Sequence, residues 1–326
     1  MKMRPPSFWQ QPPSLATTLL TPLAGAVRLQ GQRRLKKPAS HVAVPVLCCG
    51  NITVGGTGKT PLTLHLAHHL QANGYNPHIL TKGYSGRSKQ QRLVLPSDDP
   101  IDCGDETILL ARQAPTWRGK NRVQSAQDAI AHGADCLILD DGLQDPSLYK
   151  DVSILVIDGP AGLGNGLILP AGPLRETLDS ALSRIKAAVM IGKDCHSLSK
   201  HFPSHIPLFK AEFSPGPEIR DLVGKQCIAF SGIGRPEKFF TMLKEMGVTV
   251  IRTLSFPDHH LYTPRDLHRL SQLASLPGVT LVTTEKDAVK LPQDFIKNIK
   301  IITVDLLWHD DTATPYIVDQ LFPKTL

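Results

Sequence analysis

The chain has 326 residues, of which 41% are hydrophobic and 20% are charged, which excludes a disordered, collagen-like or polytopic membrane protein. Six cysteines occur without a Cys-x-x-Cys pair, which excludes a small disulfide scaffold and is typical of a reducing cytoplasm. Residues 1–40 contain seven basic and no acidic side chains, so the remaining 286 residues hold 29 basic and 29 acidic ones. The net charge of +7 therefore belongs to the N-terminal segment, and the balanced body argues against a nucleic-acid-binding protein.

The first predicted element is a helix that Ser14 could cap. Its apolar side chains recur every four residues, at Leu15, Leu19, Leu23 and Val27. Pro22 is predicted to kink this helix or to start a second one. A basic cluster over residues 28–37 follows directly. An apolar stripe that ends in a basic cluster is typical of a helix lying on an anionic membrane surface.

Other interpretations of residues 1–38 remain open at this stage. The stripe could pack on the protein's own core. A cleaved signal peptide would use Lys2 and Arg4 before the apolar stretch, but Thr17 and Thr18 spoil its hydrophobic region. A transmembrane helix is disfavoured because no stretch reaches ~18 uninterrupted apolar residues. We expect a surface-associated helix.

The body predicts alternating strands and helices, and hence a parallel sheet covered by helices. The predicted strands are 42–49, 77–81, 134–139, 152–157 and 187–191, with helices over 61–72 and 104–114. Proline-rich residues 203–217 indicate a seam, after which a smaller unit begins. Its predicted strands are 226–231, 248–253, 279–283 and 299–305, and its predicted helices are 236–246 and 264–275. We therefore predict a P-loop-type, three-layer α/β/α domain over residues 39–215 and a smaller α/β domain over 216–326.

A phosphate-binding loop is the strongest motif. It comprises Thr53, Val54, Gly55, Gly56, Thr57, Gly58, Lys59 and Thr60, and it departs from the P-loop pattern only in having Thr for Gly at its first position. The glycines let backbone N–H groups turn toward phosphate oxygens. Lys59 is expected to reach the β- and γ-phosphates, and the Thr60 hydroxyl to bind Mg²⁺.

The nucleotide is predicted to be ATP rather than GTP. A guanine-reading element needs a residue between its Lys and Asp, whereas Lys286 and Asp287 are adjacent here. Asp140 and Asp141 end a strand in the manner of a Walker B carboxylate, which would face Mg²⁺. The alternative is a pair of solvated turn aspartates.

Two other acidic motifs have ordinary alternatives. Asp105 and Glu106 start a predicted helix, where carboxylates need no function beyond the helix dipole. Arg175 and Glu176 end a Gly/Pro-rich loop over residues 159–176, and loops of that length are usually functional. There they could supply a phosphate clamp and a metal ligand rather than an exposed ion pair.

Together these motifs resemble the tetraacyldisaccharide 4′-kinase family of lipid A biosynthesis. The matching motifs, in order, are Gly50-Asn51, Gly55-Gly-Thr-Gly-Lys-Thr-Pro61, Gly104-Asp-Glu106, Asp140-Asp-Gly-Leu-Gln144, Gly164-Asn-Gly166, Leu169-Pro-Ala-Gly-Pro-Leu-Arg-Glu176, Asp258-His259 and Thr284-Glu-Lys-Asp287. The resemblance implies transfer of the ATP γ-phosphate to the 4′-hydroxyl of a tetraacylated glucosamine disaccharide 1-phosphate. It also implies a peripheral protein at the cytoplasmic face of the inner membrane of a Gram-negative bacterium, with no nucleic acid and no obligate protein partner.

The resemblance implies specific residue roles. Asp105 would be the catalytic base, and His259 would orient or tune it from the second domain; His260 next to it leaves the choice of histidine ambiguous. Asp140, Asp141 and Glu176 would be ligands of Mg²⁺ or of its water. Lys59 and Arg175 would stabilise the transferring phosphoryl group, and Arg122 and Gln144 would hold the sugar or its phosphate.

Two positions depart from the family pattern. Family members commonly have an aromatic residue at Leu143 and Arg at Lys82. A phosphate role at Lys82 is in doubt because lysine lacks the bidentate fork of arginine. The competing functions are a regulatory P-loop NTPase switch that binds protein partners, and a nucleic-acid-dependent ATPase that uses the basic arm.

Overall fold

A computed structural model describes residues 6–323 of the chain. The helices are α1 Leu15–Leu35, α2 Lys59–Ala72, α3 Pro100–Cys103, α4 Asp105–Ala111, α5 Arg122–Ala131, α6 Leu178–Leu182, α7 Pro236–Glu245, α8 Pro264–Ala274, α9 Glu285–Ala288, α10 Gln293–Ile296 and α11 Ala313–Leu321. The strands are β1 Val46–Gly50, β2 Pro77–Thr81, β3 Arg92–Val94, β4 Thr116–Arg118, β5 Cys136–Asp140, β6 Val152–Asp158, β7 Ala187–Ile191, β8 Leu208–Pro215, β9 Gln226–Ser231, β10 Thr249–Ser255, β11 Val279–Thr284, β12 Lys300–Ile302 and β13 Val304–Trp308.

The described chain forms two compact units. The first comprises residues up to 81, 121–212 and 307 onward, and the second comprises residues 82–120 and 213–306. These bounds differ from the predicted ranges, since residues 82–120 group with the second unit and residues 307 onward with the first. The predicted seam at 203–217 contains strand β8, and the division at residue 212 lies within that strand. The domain boundaries at residues 38 and 215 stay predictions.

The first unit contains a parallel sheet in the order β8-β7-β6-β1-β5-β2. Every residue of β1, β2, β5, β6 and β7 is buried, as expected of strands covered on both faces. The strand order reverses at β1, which lies between β5 and β6. Loops that follow the carboxyl ends of strands at such a reversal commonly bind ligands. The parallel pairing of these six strands confirms the predicted parallel sheet.

The second unit contains a four-stranded parallel sheet in the order β10-β9-β11-β12 and an antiparallel pair, β3 and β4. One side of the four-stranded sheet packs Phe239, Phe240 and Leu243 of α7, and another cluster includes Leu270 of α8. A separate cluster joins Ile108 of α4 to Val94, Cys103 and Val289. This last cluster fixes α4, and with it the position of Asp105, within the second unit.

The N-terminal helix is one element rather than two. Helix α1 continues through Pro22, so the predicted start of a second helix there is wrong. The Thr17 side chain and the Ser14 backbone exchange hydrogen bonds at 2.7 Å, which caps the first turn. Thr17 and Ala24 are buried, whereas Leu15, Leu19 and Leu23 on the other side are 77%, 72% and 58% exposed. None of the helices within residues 6–323 is long and apolar enough to cross a membrane.

Candidate active site

The phosphate loop connects β1 to α2, and the predicted order of strand, loop and helix is confirmed. Gly55 and Gly58 have φ values of +118° and +92°, a backbone conformation that glycine adopts without a steric penalty. Gly58 precedes the first residue of α2, and its carbonyl accepts a hydrogen bond from the Leu62 N–H at 3.2 Å. The first backbone N–H groups of α2 therefore lie at the loop. A phosphate bound there would accept hydrogen bonds from them and would lie at the positive end of the helix dipole.

The end of the Gly/Pro-rich loop braces the phosphate loop. The Val54 N–H donates to the Pro173 carbonyl at 2.9 Å, and the Arg175 N–H donates to the Ile52 carbonyl at 2.7 Å. Thr53 and Leu174 face each other as an antiparallel bridge. These backbone bonds place the side chains of residues 175 and 176 beside the phosphate loop, although more than a hundred residues separate them in sequence.

Asp140 and Asp141 lie next to the phosphate loop because β5 pairs with β1, with Asp140 opposite Cys49. Asp140 is 4% exposed, and its two carboxylate oxygens lie 3.5 Å from the Thr60 hydroxyl and 3.4 Å from the Thr63 hydroxyl. Asp140 is therefore buried and is not one of a pair of solvated turn aspartates.

Asp141 adopts a φ of +56°, which is uncommon for a residue with a side chain. Arg175 Nη1 donates to its two oxygens at 2.8 and 3.0 Å, and Lys59 Nζ lies 3.9 Å away. Burial would raise the pKa of Asp141, but the charges of Lys59 and Arg175 outweigh it and hold this pKa below its ordinary value. The carboxylate therefore stays ionised and ties both cations to the end of β5.

Thr60 and Asp140 offer a hydroxyl and a carboxylate, the hard oxygen donors that Mg²⁺ prefers. Within residues 6–323 no group of three or more His, Cys, Asp or Glu side chains could hold a metal ion. A kinase Mg²⁺ ion takes most of its ligands from nucleotide phosphates and water, so two protein donors fit such an ion.

Glu176 is 7% exposed and already engaged by protein donors. Arg184 donates to both of its oxygens at 2.9 and 2.8 Å, Ser180 donates at 2.7 Å and Gln144 Nε2 donates at 3.0 Å. A metal at Glu176 would have to displace some of these bonds. The predicted role of Glu176 as a metal ligand stays a prediction.

Gln144 and Arg122 occupy different environments in the first unit. Gln144 Nε2 also donates to the Asn51 carbonyl at 2.8 Å, and its Oε1 accepts from Arg175 at 3.3 Å. Arg122 is 1% exposed, and its Nη2 donates to the Asp140 carbonyl at 3.2 Å. Its Nε and Nη1 have no hydrogen-bond partner in the described part of the chain. Arg122 thus lies beneath the end of β5, and its predicted contact with substrate stays a prediction.

The second unit brings Asp105 and His259 together. His259 Nδ1 lies 2.8 Å from both carboxylate oxygens of Asp105. The backbone is constrained at both residues. His259 has a φ of +56°, which is uncommon for a residue with a side chain. Gly104, which precedes Asp105, packs so tightly that a Cβ there would lie 2.5 Å from the Tyr84 carbonyl oxygen. His260 instead contacts Asp266 at 3.0 Å, so the structure brings the first of the two adjacent histidines to the acid. The sequence predicted Asp105 and His259 in different domains, but both lie in one compact unit and their contact requires no domain closure.

Asp105 is an ionised hydrogen-bond acceptor. Burial would raise its pKa, but the His259 hydrogen bond and the charge of Lys286 outweigh it and hold this pKa well below its ordinary value. An ionised carboxylate only accepts hydrogen bonds, so His259 Nδ1 carries the hydrogen. The Asp105 carboxylate is therefore the proton acceptor of the pair, and His259 Nε2, on the other side of the ring, lies 3.6 Å from Asp258.

Two lysines near Asp105 and His259 were not predicted from the sequence. Lys286 Nζ lies 2.8 Å from Glu106 and 3.8 Å from Asp258, and Lys290 Nζ lies 3.9 Å from Asp105. Lys286 belongs to the Thr284-Glu-Lys-Asp287 motif, which gave no reason to connect it with Asp105. The only available signal for Lys290 was its four-residue spacing from Lys286 after a strand.

The described residues are similar to known proteins over nearly the whole chain. The family model for tetraacyldisaccharide-1-P 4′-kinase matches residues 16–322. Tetraacyldisaccharide 4′-kinases from Gluconobacter oxydans and Gluconacetobacter diazotrophicus are 53% and 43% identical over 324 residues, covering 99% of this chain and 99% of each relative. A crystal structure of LpxK from Aquifex aeolicus in complex with ATP superposes with a TM-score of 0.76 at 25% identity, covering 94% of this chain and 100% of that one.

Proposed function

Because the chain belongs to the tetraacyldisaccharide-1-P 4′-kinase family, we infer that it transfers the γ-phosphate of ATP to the 4′-hydroxyl of a tetraacyldisaccharide 1-phosphate in lipid A biosynthesis. The observation that carries this inference is the order of parts at one edge of the sheet in the first unit. There the phosphate loop after β1 lies beside Asp140 at the end of β5. The similar Aquifex protein, solved in complex with ATP, supports ATP as the donor.

The proposed nucleotide contacts follow the chemistry of the loop. Backbone N–H groups around Gly55, Gly56 and Gly58 would donate to phosphate oxygens, and the Lys59 ammonium would offset the charge on the β- and γ-phosphates. Lys59 lies 3.9 Å from Asp141, and this contact holds its ammonium near the loop. Arg175, fixed by Asp141, is proposed to stabilise charge on the transferring phosphoryl group.

Mg²⁺ is proposed as the metal cofactor, with Thr60 and Asp140 as its nearest protein donors and Asp141 and Glu176 acting on it directly or through water. When bound, it would neutralise developing charge on the phosphate oxygens. The 3.5 Å separation of the Thr60 hydroxyl and the Asp140 carboxylate supports this assignment.

Asp105 and His259 are proposed to remove the proton from the 4′-hydroxyl. Asp105 is ionised, and His259 Nδ1–H holds it by hydrogen bonds of 2.8 Å to both oxygens. The proton leaving the hydroxyl would be taken by this dyad, with His259 orienting the carboxylate. Arg122 and Gln144 are proposed to organise the surroundings of the sugar and its phosphate.

We propose that α1 attaches the protein to the cytoplasmic face of the inner membrane of a Gram-negative bacterium. The exposed leucines of α1 supply apolar surface, and Arg33 and Arg34 in its last turn supply charge for anionic headgroups. A lipid acceptor embedded in the bilayer explains why a kinase would carry such a helix.

The deciding experiment measures transfer of label from γ-labelled ATP to tetraacyldisaccharide 1-phosphate in mixed micelles with Mg²⁺. Wild type is compared with Lys59→Ala, and with Lys200→Ala as a control on an exposed lysine of the same unit. We expect labelled lipid with wild type and Lys200→Ala, and none with Lys59→Ala. ATP binding by wild type without labelled lipid would refute the kinase assignment and favour the regulatory NTPase switch.

A further inference from the structure

The second unit contains a carboxylate, Asp287, that no step of the proposed reaction uses. It is 0% exposed. It accepts hydrogen bonds from the side chains of Ser231, Tyr262, Thr284 and Lys290 at 2.7, 2.9, 2.8 and 2.7 Å, and from the Gly232 N–H at 3.0 Å. A buried charge persists only where it is paired and hydrogen-bonded to this extent. Asp287 is therefore a fixed negative charge.

Asp287 fixes the position of a buried cation. The Lys290 side chain is 1% exposed, and its Nζ lies 2.7 Å from Asp287 and 3.9 Å from Asp105. The face of the Tyr262 ring lies 5.5 Å from the same ammonium, which adds a favourable cation–π contact. Lys290 Nζ thus lies between Asp287, which binds it, and Asp105, the proposed base.

The surroundings of the dyad explain why such a cation is useful. Other charged or titratable groups that face Asp105 and His259 are Tyr84, Glu106, Asp258 and Lys286. Lys286 is already bonded to Glu106 at 2.8 Å and lies near Asp258. Lys290 adds a second positive charge near Asp105, with its Nζ 3.9 Å from Oδ2.

We propose that Asp287 and Lys290 form a positioning pair for the base: Asp287 anchors Lys290, and the Lys290 ammonium, in addition to Lys286, holds the Asp105 carboxylate in line with His259. The inference rests on the proposed role of Asp105 in proton removal. Neither Asp287 nor Lys290 contacts the reacting atoms in this proposal; both act through Asp105.

The first test removes the charge of Lys290 and follows kcat against pH in the full-length protein. A positive charge lowers the pKa of a carboxyl group near it, so its loss raises the pKa of Asp105. The acid limb of the kcat profile should therefore move to higher pH. For Lys290→Met we expect a shift of about one pH unit, which corresponds to about tenfold lower kcat on the acid limb.

The variants separate the effect of charge from the effect of packing. Lys290→Gln keeps an N–H donor for Asp287 and serves if Lys290→Met does not fold, as judged by thermal unfolding. Lys290→Arg keeps the charge and should restore the wild-type acid limb. Lys297→Met is the matched control, because Lys297 also pairs with an aspartate three residues earlier, at 2.9 Å, but is 75% exposed.

An unchanged acid limb in folded Lys290→Met or Lys290→Gln overturns the proposal. The same result with Lys290→Arg as with Lys290→Met would also overturn it, since packing rather than charge would then explain the loss. The affinity for ATP should stay within about twofold of wild type, because Lys290 acts on proton removal. Asp105→Asn separates the two inferences: full activity in that variant would remove the base assignment, whereas an inactive Asp105→Asn beside an unshifted Lys290→Gln would remove only the positioning pair.

Discussion

The exposed apolar face of α1 gives a quantitative prediction for membrane binding. Leu15, Leu19 and Leu23 follow one another at helical spacing, and each leaves more than half of its surface in solvent. The perturbation is the triple replacement Leu15→Gln, Leu19→Gln and Leu23→Gln. It removes the apolar surface but leaves the capping contact between Ser14 and Thr17 in place.

The expected loss follows from the exposed fractions. At 77%, 72% and 58%, the three side chains together expose about two leucines' worth of apolar surface. Burying one leucine side chain is worth ~2 kcal/mol, so full insertion of the face would contribute ~4 kcal/mol and half insertion ~2 kcal/mol. The triple variant should therefore bind vesicles ~30- to ~1,000-fold more weakly than wild type.

The assay is co-sedimentation with vesicles of phosphatidylcholine alone and with added phosphatidylglycerol. The control variant replaces Leu95, Leu276 and Leu307 with Gln, since these leucines are 51%, 45% and 51% exposed but lie outside α1. It should bind like wild type. Binding should also weaken with salt only when phosphatidylglycerol is present, because the basic residues near the end of α1 act through charge.

Wild-type binding by the α1 triple variant would refute the reasoning, since attachment would then depend on another surface. Equal losses in the α1 variant and the control variant would also count against it, because general loss of surface hydrophobicity would then suffice. ATP affinity measured in parallel identifies any variant that has lost its fold.

Three further predictions concern the catalytic groups. Asp105→Asn should lower kcat by ~10²-fold or more, the usual effect of losing a general base, while ATP affinity stays near wild type in a fluorescence titration. Arg175→Lys keeps the charge but loses the planar guanidinium that contacts both Asp141 oxygens and Gln144, so its kcat in the label-transfer assay should fall ~10-fold or more, and a wild-type kcat would remove Arg175 from the mechanism. The pKa values of Asp105 and Asp287 are lower in the folded chain than in the unfolded one, so they contribute stability above pH ~4 that is lost as pH falls further. Thermal unfolding should therefore show a melting temperature that drops below pH ~4, and less steeply in Asp105→Asn than in wild type; an equally steep drop would show that the ionisation of Asp105 does not stabilise the fold.

The first unit could be predicted well from the sequence because short contiguous segments specify its strands and its phosphate loop. A buried apolar run before the phosphate loop and another before Asp140 specify strands β1 and β5. Parallel pairing then places their carboxyl ends together. Helix α2 begins two residues earlier than predicted, at Lys59, because the phosphate loop itself provides the helix N-terminus. The phosphate loop and its acidic neighbours could therefore be found without coordinates.

The second unit was harder to predict because its contacts join distant segments. Nothing in residues 82–120 indicated that they group with residues 213–306. The predicted strand over 299–305 is two strands, β12 and β13, separated by Thr303, whose hydroxyl donates to Glu218. The contact of Lys290 with Asp105 depends on this long-range arrangement, whereas its contact with Asp287 spans only three residues. A lysine four residues after another lysine is an ordinary surface pattern until the fold is known.

Asn165 has a consequence for how attachment experiments are designed. Its side chain donates to the Phe8 carbonyl at 3.2 Å and to the Ala171 carbonyl at 3.0 Å, and its N–H donates to the Trp9 carbonyl at 2.7 Å. Trp9 also donates to the Pro170 carbonyl at 3.1 Å. Deleting the N-terminal segment through α1 would therefore also remove the hydrogen bonds that Phe8 and Trp9 make to the loop that carries Arg175. Any loss of activity could then result either from release from lipid or from displacement of the loop that carries Arg175. Side-chain replacements on the outer face of α1 keep these two effects separate.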